Sequence, residues 1–348
     1  MTAIIEPLVP DGVFEPRGLY FDTPTYGLAP KASYDALLGA AKRWREGSAT
    51  MAEYDEAVAR SRELFARIVG VSPATVAIGA NVSSLVGPVA AALPRGSTVL
   101  VPDGEFTSLL FPLLVKHRLN VRSVPLADLA ASIDDSVDVV AYSLVQSAGG
   151  EVADFEAISE ACGVRGVTTL VDATHAAGWL PLGHVRFDFM FVAAYKWLLC
   201  PRGVAFMVAD SALEPPPINA GWYSGEDPWA SIYGGPLRLA ESARRYDTSP
   251  AWIAWVGAVP SLELIDSLGV KRINDHDVTL ANAVRSALGM EESRSAIVTL
   301  ATADPGRLTE AGINATTRAS SVRIGCHIHN SSQDVESLIG VLTESNER

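Results

Sequence analysis

The chain has 348 residues, of which 48% are hydrophobic, enough for one large domain and one smaller domain with sizeable cores. This composition excludes a disordered or fibrous protein. Acidic residues outnumber basic ones by 40 to 27, giving a formal net charge of −13. No cluster of Lys and Arg suited to a nucleic-acid backbone occurs, so we expect a small molecule as the partner.

The cysteines and the apolar stretches bear on location. Cys162, Cys200 and Cys326 are too widely spaced for a disulfide framework or a paired metal knuckle. Reduced thiols are typical of cytoplasmic proteins. No run of about 18 apolar residues occurs, and the first residues lack a basic segment followed by an apolar one. We therefore expect a cytoplasmic protein with no membrane partner.

Helices are predicted first, between about residues 30 and 69, where apolar residues recur at helical spacing. From Thr75 onward, short apolar runs alternate with helix-length segments. These runs are TVAIGA, STVLVP, NVRSVPL, VDVVAYSLV, VTTLVDATH, FDFMFVAA and GVAFMVA. Near-continuous apolar runs of this length are typical of strands buried on both faces of a mainly parallel sheet. The core is therefore predicted to be α/β, with helices on both sides of the sheet.

The segment between Glu214 and Thr248 is irregular and rich in Pro, Gly and aromatic residues. Such a segment usually serves a binding site or an interface. We expect its aromatic residues either to shape a substrate pocket or to pack at a subunit contact. They are Trp222, Tyr223, Trp229 and Tyr233.

A second, smaller α/β unit is predicted after a helix at about residues 252–268. Its strands correspond to SAIVTLAT, INATTR and SVRIGCHIH, and a closing helix begins near Ser331. We divide the chain into an N-terminal arm (1–30), a large domain (31–250) and a small C-terminal domain (251–348). The arm is expected to contribute to the small domain and to the active site.

Two ionisable residues follow neighbouring predicted strands. Asp172 ends one strand, with His175 three residues later, and Lys196 follows the next strand. Apolar surroundings disfavour an ammonium group, which makes the neutral lysine amine available for imine formation. Taken singly, Asp172 is better explained as a loop carboxylate or a helix N-cap, and Lys196 fits equally well an aliphatic stem that reaches solvent.

Together, the two residues fit the chemistry of pyridoxal 5'-phosphate (PLP). That cofactor needs a lysine to carry it as a Schiff base and a carboxylate to keep its pyridine nitrogen protonated. We therefore predict Lys196 and Asp172 as the catalytic residues of a PLP enzyme. His175 is predicted to support them by orientation or hydrogen bonding.

The chain resembles the class V aminotransferase family of fold-type I PLP enzymes over nearly its whole length. This family includes cysteine desulfurases, kynureninases, isopenicillin N epimerase-like proteins and C–S lyases. The resemblance is carried by YFDTPTYGLAP, GANVSSLVGP, VPDGEFTSLLFP, SLVQSAGG, ARRYDTSPAW and SVRIGCHIH. It implies a large domain with a mainly parallel seven-stranded sheet sandwiched by helices, plus a smaller α/β C-terminal domain.

The resemblance also implies contacts with the cofactor. The amides of Val82 and Ser83, at the start of a helix, would cradle its phosphate. Phe106 stands where relatives stack a ring on the pyridine. Gln146 or Ser147 falls where relatives hydrogen-bond the phenolic oxygen.

Further implied contacts concern the substrate and a second subunit. Thr248 and Ser249 match a segment from which relatives reach the phosphate of the neighbouring subunit, although many relatives have a Gly-Thr pair there. This implies a homodimer with shared active sites. Tyr26 and Gly27 are expected near the substrate, and Arg323 matches the arginine that grips its carboxylate.

No metal is predicted. His327 and His329 alternate on one strand beside Cys326, but the sequence offers no evident third and fourth ligand. Neither a GxGxxG nor a GxxxxGK[ST] loop occurs, which argues against a nucleotide-binding α/β protein.

Family resemblance does not select the reaction. Cysteine desulfurases carry a catalytic cysteine on a mobile loop, whereas the C-terminal region here offers only Cys326, inside the strand of Arg323. Our leading hypothesis is a C–S β-lyase that acts on an S-substituted cysteine. An aminotransferase and a catalytically silent PLP-fold binding protein are the alternatives.

Overall fold

The computed structural model describes residues 4–115, 118–301, 304–318 and 321–343. The described strands, in chain order, are β1 (Leu19–Tyr20), β2 (Val76–Gly79), β3 (Thr98–Pro102), β4 (Asn120–Val124), β5 (Val139–Ser143), β6 (Thr168–Asp172), β7 (Phe189–Ala193), β8 (Ala205–Ala209), β9 (Ile297–Leu300), β10 (Ile313–Asn314), β11 (Thr316–Arg318) and β12 (Ser321–Gly325). The described α-helices are α1 (Lys31–Glu46), α2 (Met51–Val69), α3 (Val82–Ala92), α4 (Thr107–Leu114), α5 (Phe155–Arg165), α6 (Trp252–Leu268), α7 (Val270–Ala287), α8 (Pro305–Glu310) and α9 (Ser332–Thr343).

The seven predicted apolar runs form one sheet, in the order β2-β8-β7-β6-β5-β3-β4. Strands β3 to β7 pair in parallel, whereas β8 runs antiparallel to both of its neighbours, β2 and β7. The prediction of a mainly parallel seven-stranded sheet is confirmed.

Both faces of this sheet are covered, which explains the near-continuous apolar runs. In β7, Phe189 and Phe191 belong to one core cluster, and Met190 and Val192 belong to the cluster on the other face. All five residues of that strand are buried. Because side chains alternate across a strand, each face needs its own apolar residues.

The helix α6 packs against α1 and α2. Gly257 in α6 allows this close approach, since a Cβ there would lie 2.6 Å from the side chain of Leu37. No single helix among the described residues is long and apolar enough to cross a membrane. The helices α6 and α7 meet this condition of length and apolarity only when taken together, with a bend of 83° between them.

Two small sheets lie in the C-terminal part of the fold, and one of them includes the N-terminal strand β1. Strand β1 pairs in parallel with β10, and β12 lies between β11 and β9. Phe21 packs in the same cluster as Ile324 and Leu280. The N-terminal segment therefore runs along the C-terminal part of the fold, next to the carboxyl ends of the large sheet.

Candidate active site

The candidate site is a cavity at the carboxyl ends of the parallel strands β5, β6 and β7, where open α/β sheets place their ligands. Its empty volume is about 550 Å³, including the open mouth. The lining residues that matter most are Phe106, Ser147, Asp172, His175, Tyr195 and Lys196. The structure therefore brings together the predicted catalytic residues of two neighbouring strands.

Lys196 lies in the turn after β7, and its side chain is buried. The turn is shaped by Leu199, whose φ of 58° is in the left-handed region, and by the N-terminal segment. The Gly27 amide donates to the Tyr195 carbonyl at 2.8 Å. A Cβ on Gly27 would lie 2.1 Å from the Lys196 carbonyl oxygen, so only glycine allows this contact. The predicted placement of Gly27 beside the site has this physical basis.

The surroundings of the Lys196 amine favour its uncharged form. Burial lowers its pKa to about 7, and the nearby guanidinium groups of Arg323, Arg318 and Arg202 act in the same direction, whereas Asp172 opposes the shift. The nearest polar partner of its Nζ is His175 Nε2, at 2.7 Å. A large fraction of neutral amine is therefore present at pH 7.

The His175 ring is oriented by Trp197. The indole Nε1–H of Trp197 donates to His175 Nδ1 at 3.4 Å. Because an indole nitrogen can only donate, His175 Nδ1 must accept, and the neutral imidazole then carries its proton on Nε2. Burial and the Lys196 charge hold the pKa of His175 well below its usual range. A neutral imidazole thus presents an N–H to the Lys196 amine.

Asp172 is the last residue of β6 and is buried. Its Oδ1 accepts from the Thr174 amide at 2.8 Å, whereas Oδ2 has no hydrogen-bond partner among the described residues. Burial raises the pKa of Asp172 to about 6; the Thr174 hydrogen bonds oppose the shift, Glu105 adds to it and Lys196 opposes it. Asp172 therefore retains one oxygen for a ligand that can donate a proton.

Glu105 is a buried carboxylate that sequence reasoning missed. It accepts hydrogen bonds from the Ser143 amide at 2.8 Å, the Phe106 amide at 2.7 Å and Gln146 Nε2 at 3.2 Å. It joins the loop after β3 to the end of β5, and it fixes the segment that carries Phe106. An acidic residue in a loop gives no sequence signal for such a role.

Tyr195 was also missed, although its position next to Lys196 was a usable signal. Its ring lies 5.6 Å from that of Tyr26 and 4.8 Å from the Arg202 guanidinium. Tyr26 thus contacts a residue that lines the cavity, and its place near the substrate stays a prediction. The Phe106 ring lies 5.6 Å from Lys196 Nζ, so it too faces the reactive amine.

The predicted phosphate end lies at the start of α3. Asn81 caps this helix by accepting from the Ser84 amide at 2.9 Å, and Ser83 Oγ donates to the same oxygen of Asn81. The amides of Val82 and Ser83 belong to the first turn, which leaves them available to an anion. Val82 lines the cavity, whereas Ser83 lines a neighbouring groove.

The alternatives Gln146 and Ser147 occupy different places. The Gln146 amide nitrogen donates to Glu105, whereas Ser147 lines the cavity. The carbonyl and the hydroxyl of Ser147 both accept from Arg323 Nη1. Arg323 is buried and also donates to Thr25 Oγ1 at 2.9 Å. The predicted substrate arginine therefore lies behind Ser147, which lines the cavity, and is not itself part of the lining.

Thr248 and Ser249 lie outside this cavity. The Thr248 amide faces the Ile78 carbonyl at 3.5 Å, and Thr248 lines a separate pocket. The preceding residue, Asp247, forms a buried ion pair with Arg62 at 2.6 Å. The predicted contact of Thr248 or Ser249 with a neighbouring subunit stays a prediction.

The histidines near Cys326 face protein groups. His327 Nδ1 lies 2.7 Å from an Asp277 oxygen, and its Nε2 lies 3.0 Å from the Trp197 carbonyl oxygen. His329 Nε2 lies 3.1 Å from the Tyr20 carbonyl oxygen. Within the described ranges, no group of three or more His, Cys, Asp or Glu suited to a metal ion is found.

Comparison with known proteins places this site in context. The sequence model of one family, described as aminotransferase class V, matches residues 32–309. The chain is 29% identical to an uncharacterised aminotransferase, YcbU, of Bacillus subtilis (strain 168), over 73% of this chain and 69% of that protein. It is 25% identical to the isopenicillin N epimerase of Streptomyces clavuligerus, over 81% of this chain and 78% of the relative.

Solved structures share the fold. The chain superposes on a cystine C–S lyase (C-DES) in complex with its reaction product cysteine persulfide, with a TM-score of 0.83 at 20% identity. That match covers 93% of this chain and 97% of the other. A cysteine desulfurase from Thermococcus onnurineus NA1 matches with a TM-score of 0.79 at 19% identity, over 94% of each chain. The predicted fold is confirmed.

Proposed function

This chain belongs to the class V aminotransferase family, and we propose that it is a lyase that cleaves the Cβ–S bond of an S-substituted cysteine. It is a PLP-dependent enzyme, as predicted from Lys196 and Asp172. The cleavage itself is the proposal, because the same cofactor supports several reactions.

The residues of the cavity fit PLP. The free Oδ2 of Asp172 offers an acceptor to a protonated ring nitrogen, and the near-neutral Lys196 amine suits a cofactor aldehyde. The first-turn amides of α3, at Val82 and Ser83, suit a phosphate, and Phe106 lies where it can cover a ring. When bound, PLP supplies an electron sink for the pair of electrons left by proton removal at the substrate α-carbon.

The observation that carries the proposal is the buried Lys196 amine, which lies beside His175 and whose pKa burial lowers to about 7. A base with a pKa near the working pH transfers protons most effectively. The His175 ring, which Trp197 orients, lies 2.7 Å from this amine and positions it in the cavity; the amine must leave this contact before its lone pair can take a proton. Lys196 is therefore assigned the removal of the α-proton, after which a sulfur substituent at Cβ can leave as a thiolate.

The cysteines support elimination over a persulfide-forming desulfuration. Cys162, Cys200 and Cys326 are the three cysteines of the chain, and all are buried. Burial raises the pKa of Cys162 to about 12 and also raises the pKa of Cys200 and Cys326. A thiolate nucleophile needs the opposite environment, so the sulfur leaves on the small molecule.

An aminotransferase is the second candidate, favoured by the likeness to the uncharacterised aminotransferase YcbU of Bacillus subtilis (strain 168). It would use the same Lys196, Asp172 and Arg323, with the proton returned to the cofactor.

We also propose a cytoplasmic homodimer, in which Thr248 or Ser249 would reach the cofactor phosphate of the partner subunit. Size measurement in solution tests the dimer.

The decisive experiment is to follow the visible absorption band of the PLP-loaded protein while S-substituted cysteines are added, with Lys196→Ala as the reference. Elimination predicts release of pyruvate and ammonia with the band retained. Conversion of the cofactor to its amine form, with a keto acid as product, would establish the aminotransferase instead. A protein that stays colourless after PLP is supplied would overturn the assignment of the site.

A further inference from the structure

The hairpin β11–β12 places two arginines on one face. In its register, Thr316 pairs with Arg323 and Arg318 pairs with Ser321. Because side chains alternate along a strand, Arg318 and Arg323 point to the same side of the hairpin. Their Nη2 atoms donate to the same acceptor, Thr25 Oγ1, at 3.4 Å and 2.9 Å. The two guanidinium groups therefore meet at the N-terminal segment that borders the cavity.

The two arginines differ in depth. Arg323 is 1% exposed and holds Ser147 at the cavity wall, whereas Arg318 is exposed. Asp22 lies nearby, but its Oδ2 accepts from Thr316 Oγ1 at 2.6 Å. Neither arginine forms an ion pair within the part of the chain that the structure describes, and Arg323 Nε has no hydrogen-bond partner there. The buried Arg323 thus contacts the cavity lining at Ser147, and the exposed Arg318 is linked to it through their shared acceptor, Thr25 Oγ1.

Both guanidinium groups act on the reactive centre. The charge of each lowers the pKa of Lys196 and of His175. In a protein with 13 more acidic than basic residues, two unpaired cations beside one cavity attract an anion. One guanidinium is sufficient for an α-carboxylate, because it binds the two oxygens side by side.

We propose that the substrate carries a second anionic group besides its α-carboxylate, and that Arg318 binds this group at the mouth of the cavity while Arg323 binds the α-carboxylate. The proposal rests on the proposed function, because it takes the cavity as the amino-acid site. An S-(carboxyalkyl) cysteine or another dicarboxylic amino acid has the required chemistry. Arg318 would then determine specificity without touching the reacting atoms.

The test uses two inert four-carbon acids, the dianion succinate and the monoanion butyrate. Their dissociation constants for the PLP-loaded enzyme are measured from the change in its visible absorption, with thermal shift as a second readout. We expect the wild-type protein to bind succinate about ten-fold more tightly than butyrate, the value of one hydrogen bond to a charged group. This preference should weaken with added salt.

In Arg318→Gln, we expect the succinate preference to fall to about the two-fold advantage of two identical carboxylates, while butyrate affinity changes less than about two-fold. Arg323→Gln should weaken both ligands. Arg272→Gln removes the same charge from an exposed position in α7 and should change neither affinity. No binding of succinate to the wild-type enzyme, or a preference that survives in Arg318→Gln, would overturn the proposal. Failure of the proposed elimination shows separately, as absence of pyruvate.

Discussion

Buried charges are handled differently in two regions of this molecule. Beside the edge strand β2, Asp247 accepts from Arg62 at 2.6 Å and from the Ile78 amide at 2.8 Å. At the cavity, Asp172 keeps one oxygen without a partner, and Lys196 contacts an imidazole instead of a carboxylate. Both regions are almost completely withdrawn from solvent.

The difference separates groups that stabilise the fold from groups that are available for chemistry. A buried charge with all of its hydrogen bonds made offers no site to a ligand, and removing its partner destabilises the protein. A buried charge left incomplete is unfavourable for the empty protein and becomes favourable when a ligand completes it. The two regions therefore predict opposite responses to substitution.

The largest effect is expected for Lys196→Ala. This variant removes the only amine at the cavity among the described residues, so turnover should fall by roughly 10²- to 10⁴-fold. Pyruvate release at saturating PLP is the measurement, and Lys42→Ala, an exposed lysine in α1, is the control. Activity within ten-fold of the wild type would remove Lys196 from the mechanism.

Substitution at the Asp247–Arg62 pair beside β2 should change the stability of the protein. Asp247→Ala leaves the Arg62 guanidinium buried and unpaired, so we expect a loss of about 3 to 5 kcal/mol in the free energy of unfolding. The matched control is Asp266→Ala, which breaks a partly exposed pair with Arg67 and should change that free energy by less than about 1 kcal/mol. Denaturant titration measures both. Equal losses would contradict the distinction between the two regions.

A gain in stability is expected for Lys196→Met in the protein without cofactor. Burial lowers the folded-state pKa of Lys196 from 10.5 to about 7, so the unfolded chain binds more protons between these two values. Wild-type stability therefore rises with pH across this range. The Met variant should be more stable by about 2 to 4 kcal/mol below pH 7, and this advantage should disappear toward pH 10.5.

Unfolding of both proteins at pH 6.5, just below this range, and at pH 9.5, inside it, gives the test. Lys42→Met, at an exposed position, should show no comparable dependence on pH. A Met variant that is less stable than the wild type at pH 6.5 would show that the Lys196 amine is stabilising where it stands.

The sequence predicted the strands and the key residues beside them better than it predicted the direction of the strands and the contacts between distant residues. Strand β7 was recognisable because all of its residues are apolar, and Lys196 stood out because it follows that strand. The antiparallel direction of β8 leaves no trace in its composition, since a strand buried on both faces reads alike in either direction. Hydrogen bonds between residues distant in the chain were also missed, because nothing in the sequence joins Glu105 to Ser143 or Arg318 to Thr25.

The smallest effect is expected at Glu105, which lies in the site but has its hydrogen bonds made, like Asp247. Glu105→Gln keeps the size of the side chain and weakens the bonds from Ser143 and Phe106, so it should reduce the free energy of unfolding by about 1 to 2 kcal/mol. Loss of its charge also lowers the pKa of Asp172, which favours the ionised carboxylate. Turnover should therefore stay within about ten-fold of the wild type.

A comparison of Glu105→Gln with Asp172→Asn separates two effects. One is the effect of lying near the cavity, and the other is the effect of having a carboxylate oxygen without a hydrogen-bond partner. Both substitutions remove one buried carboxylate charge, Asp172 from the cavity lining and Glu105 from directly behind it, but only Asp172 has an oxygen free for the cofactor nitrogen. We expect Asp172→Asn to lose PLP-dependent turnover and to retain stability, and Glu105→Gln to do the reverse. An equal loss of activity in Glu105→Gln and Asp172→Asn would contradict this distinction. It would show that a buried charge matters for activity because it lies near the cavity, and not because it has an oxygen without a hydrogen-bond partner.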